Sequence, residues 1–131
     1  MTSFKNRGSA QAGNNEILKE FVDFLMPLLK PYETMIYLYL LRRSRLLGNS
    51  SIRVGQRTIS ADCGIGTRSS RGGNQQHVRE VLQSLEAKGC IVIGDLTREG
   101  TLYSVFVPSE IEAVQESMAV ATSVSAKQDY Y

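Results

Sequence analysis

Val78-Arg79-Glu80-Val81-Leu82-Gln83-Ser84-Leu85-Glu86-Ala87-Lys88-Gly89-Cys90-Ile91 contains the change of period on which the fold reading turns. Up to Lys88 the apolar residues Val78, Val81, Leu82 and Leu85 recur at helical spacing. They define the buried face of a helix from about Asn74 to Lys88, which Gly89 stops. Beyond Gly89 the residues become β-branched or aromatic. Cys90 to Gly94 and Leu102 to Val107 read as two strands joined by Asp95 to Thr101, with Gly100 near the tip: a β-hairpin ended by Pro108.

Upstream, Gly66 to Asn74 is a polar loop rich in Gly and Ser. Gln56 to Cys63 reads as a short helix stopped by Gly64, and Ile52 to Val54 as an edge strand. A longer helix is expected from Pro31, with Glu33 in its first turn and Met35, Ile36, Tyr39 and Leu40 as its stripe. It runs to about Leu47, where Gly48 and Asn49 end it. Ile17, Leu18, Phe21, Phe24, Leu25 and Leu28 form an earlier helical stripe, capped by Asn15 and closed by Pro27 and Pro31. Downstream, Ser109 and Glu112 form a capping box ahead of Ile111, Val114 and Met118. The expected organisation is a mobile N-terminal arm (1–13), a domain over 14–108 with its flanking helix, a C-terminal helix (109–121) and a flexible tail (122–131). The fold class is mainly α with a small β-wing.

The net charge of +2 conceals a strong division along the chain. Charges cancel up to Leu41. Arg42, Arg43, Arg45, Arg53, Arg57, Arg68, Arg71 and Arg79 then face a single carboxylate, Asp62, and the remainder of the chain is acidic. All cations of the middle segment are arginine, whose planar fork suits phosphate and guanine. A densely anionic partner accounts for such a segment.

With the order helix, short strand, short helix, turn, helix and hairpin in hand, the chain resembles bacterial winged helix-turn-helix proteins over about Leu28 to Val107. The stretch Val78 to Ile91 is similar to their recognition helix and its exit into the wing. Thr58-Ile59-Ser60-Ala61-Asp62-Cys63-Gly64-Ile65 is similar to the preceding scaffold helix and turn. Tyr32-Glu33-Thr34-Met35-Ile36-Tyr37-Leu38-Tyr39-Leu40 is similar to the first helix of gene regulators and of phage and plasmid replication-initiation proteins. One departure is the long connection Gly66 to Gly73, where the family has a turn of a few residues.

The resemblance implies double-stranded DNA as the partner, with the helix 74–88 in the major groove and the hairpin on the backbone. On that helix Asn74, Gln75, Gln76, Arg79 and Gln83 point away from the apolar face. Asn and Gln can pair with adenine and Arg with guanine. Arg68, Ser69, Ser70 and Arg71 in the loop are candidate phosphate contacts, as are Arg57 and Thr58 at the start of the scaffold helix. Thr97 and Arg98 are the candidates at the hairpin tip. The leading expectation is sequence-specific transcriptional regulation. Replication initiation for a mobile element is the alternative, and a protein-interaction module without DNA binding the second. A homodimer through the N- and C-terminal helices is also expected from their apolar stripes.

Enzyme chemistry finds no support. Gly64-Ile65-Gly66 is followed by Ser69 where a dinucleotide fingerprint needs Gly. The Gly-rich loop lacks the Gly-Lys-Ser/Thr ending of a phosphate-binding loop, and His77 is the lone histidine. Cys63 and Cys90 form no CxxC pair and are expected to be reduced, with no metal and no cofactor. The start of the chain lacks a signal-peptide layout, and no apolar run approaches the roughly 20 residues of a membrane span. The expected location is the cytoplasm.

Overall fold

The computed structural model of the chain describes residues 13–65 and 73–128. In chain order its elements are α1 (residues 13–20), α2 (Pro31–Arg43), β1 (Ser51–Val54), α3 (Gln56–Cys63), α4 (Gly73–Ala87), β2 (Ile91–Thr97), β3 (Gly100–Val105) and α5 (Glu112–Gln128). The protein is mostly helical with one small antiparallel sheet, as its periodicities predict. The chain divides into two compact units, residues 29–106 and residues 13–28 with 107–128. The N-terminal flanking helix groups with the C-terminal segment.

In the unit of residues 29–106, α2, α3 and α4 pack against one another, with α4 also on β2 and α2 on β3. Ile36, Tyr37, Leu40 and Leu41 of α2 meet Ile59 of α3 and the predicted stripe Val78, Val81, Leu82 and Leu85 of α4, all buried. Burying each such side chain contributes about 2 kcal/mol relative to leaving it in water. The Tyr37 hydroxyl donates to the Phe106 carbonyl at 2.7 Å, joining α2 to the end of the hairpin.

α2 stops four residues earlier than its apolar pattern predicts. The buried Ser44 donates its hydroxyl to the Leu40 carbonyl at 2.7 Å and leaves helical geometry, and a 3₁₀ turn, Arg45–Leu47, follows. Serine competes with the backbone ladder in this way, and here it ends the helix.

The sheet order is β1-β3-β2. Ile52 lies opposite Tyr103 and Val54 opposite Thr101, while on the other side Ile91, Ile93 and Leu96 lie opposite Val105, Tyr103 and Thr101. Side chains opposite one another share a face, so all of these belong to one side of the sheet. The hairpin is longer and tighter than expected: Thr97 pairs with Gly100 across the two residues Arg98 and Glu99. The register shifts by one residue between Ile93 and Leu96, a bulge containing Gly94 and Asp95. Gly100 has φ +121°, and a Cβ there would lie 2.4 Å from the Val54 carbonyl carbon. Only glycine permits β3 to begin against the end of β1.

In the other unit, α1 passes into a π turn at Phe21–Leu25 and a 3₁₀ turn at Met26–Leu28. Pro27 supplies a reason, because its ring cannot sit over the Asp23 carbonyl in a regular helix. Residue 13 is already helical, so Asn15 is inside the helix and not its cap. Phe21 and Leu25 are buried, as are Ile111 and Val114, and the π turn packs on α5. Glu110, not the expected Ser109–Glu112 pair, makes the reach-back contact before α5, accepting the Val107 amide at 3.0 Å. α5 extends well beyond residue 121, where a tail was expected to begin.

One buried carboxylate fixes α4 against α2. Glu33 is 2% exposed. It accepts the Lys30 amide at 2.8 Å and the Lys88 ammonium at 2.6 Å, and also the Ser84 hydroxyl. Burial alone raises its pKa, but the Lys30, Lys88 and Ser84 hydrogen bonds outweigh that and hold it below the ordinary value of 4.5. The stabilisation is therefore complete above pH 4.5 and is lost as pH falls through the lowered value. Glu33→Gln, which keeps the shape and removes the charge, should lower stability at neutral pH by roughly 1–3 kcal/mol. Urea denaturation over a pH series should show that difference closing below pH 4.5; a difference that widens there would contradict the assignment.

Candidate functional site

The walls of one concavity in the unit of residues 29–106 come from three places: the start of α3, the N-terminal half of α4 and the end of the hairpin. This groove of about 430 Å³ is lined by Gly55, Gln56, Arg57, Thr58, Gln75, Arg79 and the six residues from Leu96 to Thr101. Arg57, Thr58, Gln75, Arg79, Thr97 and Arg98, six of the residues singled out from sequence, thus meet around one opening. Gln76 and Gln83 lie exposed on the adjoining outer face of α4. Asn74 lies within α4 beside Gly73. Arg68, Ser69, Ser70 and Arg71 fall outside the described residues.

Helical geometry explains the convergence on α4. The buried residues Val78, Val81, Leu82 and Leu85 occupy one side. Gln75 and Arg79 stand one turn apart toward the groove, and Gln76, Glu80 and Gln83 continue round the exposed side. The opposite flank is taken up by α2, through the Ser84–Glu33 bond and a perpendicular contact of the His77 and Tyr32 rings at 4.7 Å. His77 is therefore a packing residue between the two helices.

The hairpin end is held by an arginine. Arg53 of β1 reaches across β3 and donates to the Asp95 carbonyl at 3.1 Å, the Gly100 carbonyl at 2.9 Å and the Thr97 hydroxyl at 3.2 Å. It also pairs with the Asp95 carboxylate at 3.1 Å. The Thr97 hydroxyl also accepts the Glu99 amide at 3.2 Å and approaches the Gly100 carbonyl. Thr97, expected as a wing contact, is thus engaged in shaping the turn. Arg98 projects from that turn, exposed.

The arginine-rich segment is consequently not one uniform cationic face. Arg45 donates to the Val105 carbonyl at 3.1 Å. Arg43 lies 4.7 Å above the Tyr39 ring and 3.6 Å from Asp62. Tyr39 donates to Asp62 at 2.6 Å, and burial together with that bond pushes the phenol up to about 12, so it stays a donor at neutral pH. Arg43, Arg45 and Arg53 are thus each engaged by groups of the fold itself. Arg57, Arg79 and Arg98 are exposed at the groove and form no ion pair among the described residues.

The groove also contains residues that sequence reasoning passed over. Leu96 and Glu99 line it, and Glu80 accepts the Gln76 amide at 3.1 Å on the adjoining face. Leu96 was hidden by the bulge: strict alternation would put Asp95 on the Ile91–Ile93 face, whereas the extra residue puts Leu96 there. Gly55, the N-cap of α3, has no side chain to satisfy the first amides of that helix. These amides and three guanidiniums give the site donors aimed at anions, and Gln75 adds an amide able to donate and accept.

Burial raises the pKa of both thiols, Cys90 to about 12, so each is held as a thiol and not a thiolate. Among the described residues no group of three or more His, Cys, Asp or Glu side chains is placed to hold a metal ion. No helix there is long and apolar enough to cross a membrane.

Arg53→Met, which keeps the aliphatic stem and removes the guanidinium, should release the hairpin end. Hydrogen exchange at the amides of residues 95–100 should accelerate several-fold, with a stability loss of about 1–2 kcal/mol. Unchanged exchange there would show that the turn holds itself. No model of a known protein family matches the chain, and a search of curated proteins likewise finds no match.

Proposed function

We propose that residues 29–106 form a winged helix-turn-helix domain that binds double-stranded DNA in a sequence-specific manner, and that the protein regulates transcription. The observation carrying this reading is the groove in which Arg57, Gln75, Arg79 and Arg98 converge. The element order α2, β1, α3, α4, β2, β3, with the sheet order β1-β3-β2, supports the winged-helix reading. In this arrangement α4 enters the major groove and presents Arg79, Gln76 and Gln83 to base edges. The hairpin lies over the neighbouring strand, and the concavity between them receives the sugar-phosphate backbone. Arg57 and the first amides of α3 contact phosphate from one side and Arg98 from the other. Arg68 and Arg71, in the segment that leads into α4 at Gly73, are further phosphate contacts expected from sequence.

The test begins with selection of bound sequences from a random duplex pool, followed by titration of the winner at several salt concentrations. Log affinity should fall with log salt at a slope of about −0.9 per phosphate neutralised. Arg79→Ala should remove a base contact, about 1–3 kcal/mol or roughly 5- to 150-fold, and relax the preference at one position. Arg98→Ala should weaken all sequences alike and make the salt slope shallower by about one. Arg42→Ala serves as the control, since Arg42 is exposed on α2 and does not line the groove. Equal losses from Arg42→Ala and Arg98→Ala would move the binding surface elsewhere, and no salt-dependent binding at all would end the proposal.

A further inference from the structure

The most exposed large apolar side chain among the described residues stands in the candidate site. Leu96 is 76% exposed, yet it lines the groove with Arg57, Arg79 and Arg98, and it is the one lining side chain of that size made only of hydrocarbon. So exposed a leucine adds little to the core, and packing does not account for its direction. The bulge at Gly94 and Asp95 does. Its extra residue turns Leu96 to the groove side, opposite Thr101, and Arg53 fixes the bulge through the Asp95 carbonyl and carboxylate. Re-aiming one side chain beside a binding site is a common use of such a bulge. Apolar surface held in water in this way is surface that a ligand gains by covering.

We infer that Leu96 packs on a deoxyribose of the strand held in this groove and there favours DNA over RNA; the inference rests on the DNA-binding reading. The cationic neighbours select this partner. Arg57 on the α3 side and Arg98 at the hairpin end are the phosphate contacts of that reading, and successive phosphates of a strand are joined through a sugar. An apolar side chain in a groove that holds phosphates therefore meets the carbon edge of the sugar between them. An apolar patch of another protein fits poorly, because covering the groove would strip water from exposed guanidiniums and offer them no anion. The thymine methyl group lies in the major groove, which α4 enters and the hairpin does not. The sugar carbon that bears only hydrogen in DNA carries the 2′-hydroxyl in RNA. Against Leu96 that hydroxyl loses water and gains no partner, so ribose is disfavoured at this position.

The test uses the full chain and the duplex recovered by selection from the random pool. Leu96→Ala should weaken binding to every sequence by roughly 5- to 20-fold. It should leave the salt slope unchanged, because no phosphate contact is lost. Single ribonucleotides are then placed one at a time along both strands. The wild type should lose roughly 5-fold in affinity at one or two positions, and Leu96→Ala should abolish the penalty at those positions. Leu96 is exposed, so thermal unfolding of the variant should match the wild type. A ribose penalty equal in the two proteins overturns the inference and leaves the DNA-binding reading standing. So does a Leu96→Ala loss that makes the salt slope shallower, or one that vanishes when a single thymine is replaced by uracil. Absence of duplex binding by the wild type ends both.

Discussion

The guanidinium of Arg53 decides where the hairpin ends, and with it the shape of the candidate site. β1 is only four residues long and β2 is bulged, so the ladder alone gives this end of the sheet few hydrogen bonds. Arg53 compensates by bonding to the bulge, the turn and the start of β3 at once. Its carboxylate partner Asp95 sits within the bulge. The same bulge moves Leu96 onto the face that looks into the groove. Gly100 then lets the hairpin close against Val54 and Gly55, immediately ahead of α3. The distance between the hairpin end and the α3 start is therefore set by short polar contacts, and both walls of the groove inherit that precision.

The third wall, α4, depends on a different kind of contact. Its apolar stripe alone would permit small rotations or slides, since neighbouring Leu and Val side chains can exchange contacts. Glu33 removes that freedom: a buried carboxylate must keep its hydrogen bonds, and Ser84 and Lys88 can supply them in only one register. Both polar devices cross between elements distant in sequence. Together they orient Arg57, Arg79 and Arg98 about a single opening.

How much of this was legible in sequence follows from the range of the forces involved. The limits of α3 and α4 come from local signals, namely helical spacing and the stops at Gly64 and Gly89, and they were readable to within about a residue. Arg57, Gln75, Arg79 and Arg98 could each be singled out from sequence, but that they stand around one opening is a tertiary fact. The break at Ser44 was not readable, because the pattern around it remains helical and only the hydroxyl bond to Leu40 ends α2. Nor were the separate fates of the arginines. Composition treats Arg43, Arg45 and Arg53 like Arg57 and Arg79, yet the former are engaged by Asp62, Val105 and Asp95. Charge along a chain measures supply; tertiary contacts decide how much reaches the surface.

That division bears on which anion the groove suits. A pair of unit charges 4 Å apart in water gains only about 1 kcal/mol, so an open site with exposed guanidiniums holds a single small anion poorly. Glu99 at the rim weakens such binding further. A polyanion changes the arithmetic, because Arg57 and Arg98 can engage successive phosphates at once, each contact releasing condensed counterions, while Arg79 stays available to a base edge. The neutral and apolar members of the site favour the same choice. Gln75, Gln76 and Gln83 offer donors and acceptors without charge, as base edges require, and Leu96 offers an apolar surface. A site evolved for phosphate alone would gain nothing from amides spread along one helix face. A duplex, as proposed, would offer both the successive phosphates and the polar base edges that the two halves of the arrangement can engage.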